Sequence, residues 1–418
     1  MAWICALNLM VLTLLTPEAN GDAPCTHPLF GDPQAYGVGD NPHSVAAGDL
    51  NGDDYLDLAT ANLDSGDVSV LLNNGEGTFQ LHVTCAVGQH PQGVATGDLD
   101  GDGDCDLAVA NEIPYDVSVM LNNGDGTFAP AVHYDLGYPG SWSIAIGDLD
   151  GDNHADLAVA AGPHVKVLLN NGDGTFGIPV PYGGSLSVRS IVAVDLNDDN
   201  RLDLAASSSG MQCVWVLLNS GDGTFPDCTD YTIGGQPESV AAGNLDTGTS
   251  TDLVLANYHG YVSVLLNHGD GTFAPPVTYP TAIDATYAAV GDLDGDSHRD
   301  LFVTRQGNSS VLLNHGDGTF SPYVLYESGP ASSATLADFD GSGYLDAAVA
   351  HYSGDEVLVL LNLCVDCPAD FDGDGDVDTA DLLHLLGCWG TDCGDVDGDG
   401  DTDTADLLML LAAWGECP

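Results

Sequence analysis

The sequence predicts a mainly β chain: a seven-bladed β-propeller of four-stranded antiparallel blades, followed by a small α-helical module. Three observations carry that reading. An acidic stretch returns seven times, at Asp49, Asp98, Asp148, Asp195, Asn244, Asp292 and Asp338, always 46 to 50 residues apart. Each return sits between short apolar runs, and the third run of a unit ends in a turn such as LLNNGEGTF (71–79) or LLNHGDGTF (265–273). After Asn362 the text changes to two copies of an acidic loop followed by apolar residues at helical spacing, 25 residues apart. Repeats of roughly 40 to 50 residues with four strands each are the mark of propeller blades.

The elements follow in chain order. Residues 1–23 have a short apolar stretch, Ala2 to Leu15, then Pro17 and small residues, which reads as a secretory signal although Lys and Arg are missing from its start. Its removal would take Cys5 and leave ten cysteines, an even number that in an exported chain favours disulfides. Residues 24–363 form the propeller. In the first unit strands are expected at about 44–50, 56–62, 67–73 and 78–86. The N-G and D-G pairs between alternating apolar runs supply the positive φ that hairpin turns need. Helix-period spacing is absent here, which excludes a helical solenoid.

The seventh unit stops at VLVLLN, ending at Asn362, without its GDGTF strand, while the chain begins with an orphan piece, PLFGDPQAYGVG. Residues 27–37 are therefore expected to complete the last blade and close the ring, which removes exposed sheet edges. Aligning Phe30 with Phe79 and Asn362 with Asn73 opposes Cys25 and Cys364, a disulfide clasp. Cys213 and Cys228 flank the NSGDGT turn and could pair across their strands.

The acidic stretches have metal-loop spacing. Positions 1, 3, 5 and 9 are Asp49, Asn51, Asp53 and Asp57; Asp98, Asp100, Asp102 and Asp106; Asp148, Asp150, Asp152 and Asp156; Asp195, Asn197, Asp199 and Asp203; and Asp292, Asp294, Asp296 and Asp300. Alternate oxygen side chains on a tight loop, with a carbonyl from position 7, make the flexible hard-oxygen cage that suits Ca²⁺. Carboxylates about 4 Å apart repel by about 4 kcal/mol at an effective dielectric of 20, so a bare loop should open. Freely scattered surface acid would include Glu, whereas these positions hold only Asp or Asn. The seventh loop offers Asp338, Asp340, Ser342 and Asp346 and is expected to bind weakly or through water. The fifth, with Asn244, Asp246, Gly248 and Asp252, loses its position-5 ligand and is the one expected to stand empty.

These residues resemble the FG-GAP, or VCBS-type, repeat of integrin alpha heads and many secreted bacterial proteins. The resemblance covers about residues 27–362. It implies a seven-bladed propeller with five to seven calcium ions in the hairpins joining strands 1 and 2, on the face opposite the usual ligand face, in a structural rather than chemical role.

Residues 364–418 read as a second module. Asp370, Asp372, Asp374, Asp378 and Asp381 occupy positions 1, 3, 5, 9 and 12 of a calcium loop, and Asp395, Asp397, Asp399, Asp403 and Asp406 repeat them. The following DLLHLLGCW and DLLMLLAAW make loop-helix units able to bury their Leu and Trp faces on each other. This tail resembles a type I dockerin, an EF-hand-like fold. That implies two further calcium ions and a cohesin-like or cell-surface partner read by Thr379, Ala380, Thr404 and Ala405. Cys367, Cys388, Cys393 and Cys417 depart from that family's pattern.

Against 63 acidic residues stand five basic ones, Lys166, Arg189, Arg201, Arg299 and Arg305, for a net charge of −58. No basic patch can be assembled from them, so nucleic acid is excluded as an expected partner. No segment beyond the signal approaches a membrane span, and a monomer at the cell surface or outside the cell is expected. No nucleophile elbow, zinc-protease or phosphate-loop motif occurs.

The face opposite the acidic loops is richer. There the sequence places Tyr115, Tyr138, Trp142, Tyr258, Tyr287 and Tyr352 as candidate ligand residues, together with His43, His90, His164, His259, Tyr261, His351, Arg189 and Arg305. Aromatic rings with polar edges suit sugars or protein side chains. For each residue singly, packing against the next blade is the alternative. The expectation is a non-catalytic, secreted binding or adhesion scaffold for a glycan or protein ligand; the alternatives are a carbohydrate-active enzyme, lyase or hydrolase, and a structural surface-layer component.

Overall fold

The structure, a computed structural model, describes residues 30–137, 140–184, 187–282 and 284–364, and in the tail 376–377, 379–389, 402–412 and 414–416. The signal segment, Cys25, Tyr138 and Asp370, Asp372, Asp374, Asp378, Asp395, Asp397 and Asp399 lie outside the described residues.

Seven four-stranded antiparallel sheets follow one another round a ring. In blade 1 the strands run Pro42–Gly48, Asp57–Asn62, Asp67–Leu71 and Val83–Ala86, from the channel outward. The second strand is buried throughout because blades pack on both its faces, so its sequence, DLATAN, is apolar or small without alternation. The outer strand is exposed at three of its four residues.

The last blade draws its outer strand from the other end of the chain. Gln34–Gly37 pairs antiparallel with Glu356–Leu360, and Phe30 bridges Asn362 as Phe79 bridges Asn73. Aromatic contacts repeat that closure. The outer-strand tyrosine of one blade meets the GTF phenylalanine of the next edge-on: Tyr134 on Phe176, Tyr182 on Phe225, Tyr231 on Phe273 and Tyr279 on Phe320, at 5.1 to 5.5 Å. Tyr326 on Phe30 and Tyr36 on Phe79, both at 5.3 Å, carry the series across the chain ends. Each such pair contributes about 0.5–1.5 kcal/mol beyond its buried area. In the interface after blade 1 the tyrosine is replaced by Cys85, which packs with Phe128.

The Cys213–Cys228 bridge does not form, and both thiols are free. The hairpin register places Cys213 opposite Thr232 and Cys228 opposite Leu217, four positions apart along the ladder. Flanking the NSGDGT turn is not enough to pair them, since the ladder folds about a point next to Asp222. Cys105, Cys364 and Cys388 are each engaged in a disulfide, and all three are buried.

In the tail, helices α1 (Thr379–Gly387) and α2 (Thr404–Ala412) touch, with Leu385 and Leu410 buried. At the start of α2 the Asp403 amide donates to Asp406 Oδ2 at 2.6 Å, one half of a capping box. Among the described residues no helix is long and apolar enough to cross a membrane.

Candidate functional site

The acidic loops join strands 1 and 2 of each blade, at one end of the ring. Their first residue organises them. Asp49 Oδ1 accepts the amides of Asn51, Gly52 and Asp53 and its Oδ2 that of Asp54; Asp148 and Asp338 each gather three amides in the same way. The chain can turn so tightly because positions 4 and 6 take left-handed φ, as at Gly101 (80°) and Gly103 (96°).

The ninth residue has a different task. Asp57, Asp106, Asp156, Asp203, Asp252, Asp300 and Asp346 are all buried. Each Oδ2 accepts the amide of loop position 2, at 2.8 to 3.0 Å. Each Oδ1 accepts the amide of the asparagine that opens the NGDGT turn, at 2.6 to 2.8 Å. Burial pushes these carboxyls up, to about 7 at Asp57, Asp106, Asp156 and Asp346, about 6 at Asp203 and Asp252 and about 8 at Asp300, against the pull of their two amides.

That asparagine ties blade to blade. Asn122 Nδ2 donates to Cys105 O of its own acidic loop (2.7 Å) and to Leu50 O of the preceding one (2.8 Å). Asn73, Asn170, Asn219, Asn267, Asn314 and Asn362 repeat the bracket, with Asn73 reaching Phe339 O across the chain ends. The acidic loops thus form a continuous hydrogen-bonded belt.

In four loops three carboxylates converge, one oxygen of each within 4.8 Å of the others: Asp98, Asp100 and Asp106; Asp148, Asp150 and Asp156; Asp292, Asp294 and Asp296; Asp338, Asp340 and Asp346. These clusters could hold metal ions. The seventh, expected to bind weakly or through water, also brings three acids within that distance. In the first and fourth loops an amide, Asn51 or Asn197, stands at position 3, and no three acids reach that distance among the described residues. The fifth loop is closed by an amide: Asn244 Nδ2 donates across it to Gly248 O at 2.7 Å. Asp104, at position 7 of the second loop, lies under the turn of its own blade, where a Cβ on Gly124 would meet Asp104 Oδ2 at 2.6 Å. In the tail, Asp381 belongs to α1 and Asp406 is buried in its cap.

A central channel of about 1110 Å³ runs along the inner strands, from acidic-loop residues such as Asp246, His298 and Asp338 at one end to the start of the inner strands at the other. Trp142, Tyr258, Tyr287 and Tyr352 line it, with His43 and Arg189. Tyr115 does not; it sits half-exposed at the turn after Ile113. Every inner strand carries a β-bulge in its first half, between Pro42 and Ser44, for example, between Pro91 and Gly93, and between Val188 and Ser190. The bulge residues His43, Gln92, Trp142, Arg189, Glu238, Thr286 and Ser332 all line the channel. Bulges re-aim side chains in this way. The Arg189 guanidinium lies 4.1 Å over the Trp142 ring, its Nε 3.7 Å from Glu238 Oε2 and 3.4 Å from Ser209 Oγ. Burial raises the Glu238 carboxyl and Arg189 lowers it. His43 Nδ1 lies 2.9 Å from Gln92 O, and burial holds that imidazole below its ordinary value, hence neutral. Sequence reasoning missed Gln92, Glu238, Thr286 and Ser332 because it looked for aromatic residues; the signal available was their common place in the repeat.

The FG-GAP-like repeat model matches residues 49–109, 98–159, 154–206, 250–303 and 292–349, together more than half of the chain. The chain belongs to the FG-GAP-like repeat family. The stretch left unmatched between the third and fourth of these segments leads into the fifth loop, where the acidic pattern fails. Among curated proteins no relative matches. Among solved structures, an Agrocybe aegerita lectin described as recognising non-reducing terminal N-acetylglucosamine is similar at 21% identity, TM-score 0.53, over 80% of this chain and 96% of the lectin. BBS1N, solved in complex with ARL6DN, is similar at 10% identity, TM-score 0.59, over 81% of this chain and 97% of that one. At these identities the likeness is one of fold. In this FG-GAP chain the acids serve the belt, and the channel mouth offers the mixed chemistry.

Proposed function

We propose that this FG-GAP propeller is a secreted, calcium-stabilised binding scaffold whose channel-mouth face recognises a glycan, with the C-terminal helices serving attachment or assembly. The observation that carries the reading is the division of labour between the two ends. The position-9 acids at one end are tied into the blade-to-blade belt, while aromatic, cationic and amide groups together with Glu238 line the channel at the other. Calcium would be held by positions 1, 3 and 5 with the buried position-9 carboxylate, and when bound it supplies positive charge that keeps these acids ionised and the loops closed. A glycan is favoured over a protein partner because rings with polar edges line a concave opening rather than a flat patch. The lectin of the same fold supports this; BBS1N with its protein partner keeps the protein alternative open to test. The acids of the loops are engaged there and Glu238 of the channel is paired with Arg189, so a binding role is proposed over a lyase or hydrolase.

The test is binding of the full chain to a glycan array in calcium. Specific binding to a family of terminal sugars is the expected result, and depolymerisation of a polysaccharide or a blank array would contradict the proposal. For the tail, retention of the full chain but not of residues 1–363 on the surface of the producing cell would support attachment; equal retention would contradict it.

A further inference from the structure

The bulge position differs from its neighbours in one telling respect. The residue that follows it is serine in five blades, Ser44, Ser143, Ser190, Ser239 and Ser333, and each hydroxyl accepts an amide of the next blade at 3.0 to 3.3 Å. A symmetric structural task is met by a repeated residue. The bulge itself holds seven different types in seven blades, His43, Gln92, Trp142, Arg189, Glu238, Thr286 and Ser332, and none is aliphatic. Two of them spend their hydroxyl hydrogen on structure, Thr286 donating to Ala331 O and Ser332 to Pro42 O, each in the following blade, and His43 engages Gln92 O in the same way through Nδ1 alone. The arc from blade 1 to blade 5 keeps polar atoms in hand. Gln92 is buried, and its Oε1 has no hydrogen-bond partner among the described residues.

We propose that the bulge residues of blades 1 to 5 form one asymmetric recognition arc that takes a single neutral pyranose at the channel mouth. This rests on the glycan reading above and assigns its site, its charge class and its number. A sevenfold ring that reads one sugar must break its own symmetry, because a pyranose presents different groups around its edge. Trp142 supplies an apolar ring, Arg189 the donors, and Glu238, Gln92 Oε1 and the Nε2 of His43, whose Nδ1–H is given to Gln92 O, the acceptors. The ligand is neutral because the arc's cation faces its own carboxylate, Arg189 to Glu238, leaving no net positive charge for an acidic sugar. Sites built on features shared by the blades would instead bind several sugars per chain.

Isothermal titration of the full chain in calcium with the methyl glycosides of N-acetylglucosamine, glucose, galactose, mannose and glucuronic acid tests this, alongside the array. The expected result is one neutral glycoside bound per chain, weakened about tenfold or more by Trp142→Ala and by the near-isosteric Glu238→Gln, with Tyr323→Ala on the outer rim unchanged. A stoichiometry above one, or affinities untouched by both arc variants, would overturn the site while leaving the glycan reading standing. Preference for the glucuronide would overturn the charge class. Should neither array glycans nor glycosides bind, both the arc and the reading beneath it fall. Glu238→Gln and the wild-type stoichiometry keep the test decisive if Trp142→Ala does not fold.

Discussion

Asn122→Ala isolates the belt from any metal. The side chain is 6% exposed and makes three bonds: Nδ2 to Leu50 O and Cys105 O, and Oδ1 from the Gly124 amide. Truncation leaves two carbonyls of fully buried residues facing a small void. A buried polar group stripped of its partner costs about 1–3 kcal/mol, and a carbonyl with a second lone pair tolerates it best, so a loss of about 2–4 kcal/mol is expected. Asn123 next door is exposed and bonds only within its turn, to Thr127; Asn123→Ala should cost about 1 kcal/mol or less. Asn122→Asp keeps the shape but sets a carboxylate oxygen against two carbonyls, and should be at least as damaging as alanine. Urea unfolding in saturating calcium, followed by tryptophan fluorescence, reads all three. The reasoning fails if Asn122→Ala is no worse than Asn123→Ala, or if Asn122→Asp matches wild type.

Three further outcomes are expected. In chelator, stability should fall as pH rises from about 4 to about 7. The position-9 carboxyls are raised in the folded state, so the fold binds more protons than the unfolded chain across that window, and the advantage is lost as they ionise; melting temperatures in EDTA that are level across this window would contradict it, and calcium should flatten the slope. Calcium counted by equilibrium dialysis should drop by one ion on Asp292→Asn and stay unchanged on Asp246→Asn, since the fifth loop is closed by Asn244; an equal loss from both would show that the fifth loop binds too. Alkylation of the denatured, unreduced protein should label Cys213 and Cys228, and a cross-linked peptide joining them would refute the register of that hairpin.

The ring was legible in the sequence because blades bury the same faces the same way, so strands, turns and acidic loops recur at one spacing. The closing strand was legible for the same reason: Phe30 and Asn362 stand in for Phe79 and Asn73, and their bridge forms. What the letters hid was interaction between repeats. LNN reads as a turn signal, yet its first asparagine spans two blades, and only the packed ring brings Leu50 O beside Asn122. Asp at position 9 reads as a fourth ligand, and the letters do not show that its two oxygens also hold two amides. The bulges were hidden because a bulge leaves no residue-type signature at its own position, and here the residues there differ in every blade. The cysteines misled because flanking a turn does not fix where the ladder folds.

The central claim is that the acidic loops hold cations on which the propeller depends, and thermal melting with calcium removed and restored tests it most directly. The account predicts that EDTA lowers the melting temperature, that calcium restores it in a saturable titration, and that magnesium restores it less. A melting temperature unchanged by EDTA would mean the loops are held by their own hydrogen bonds alone, and would contradict the account.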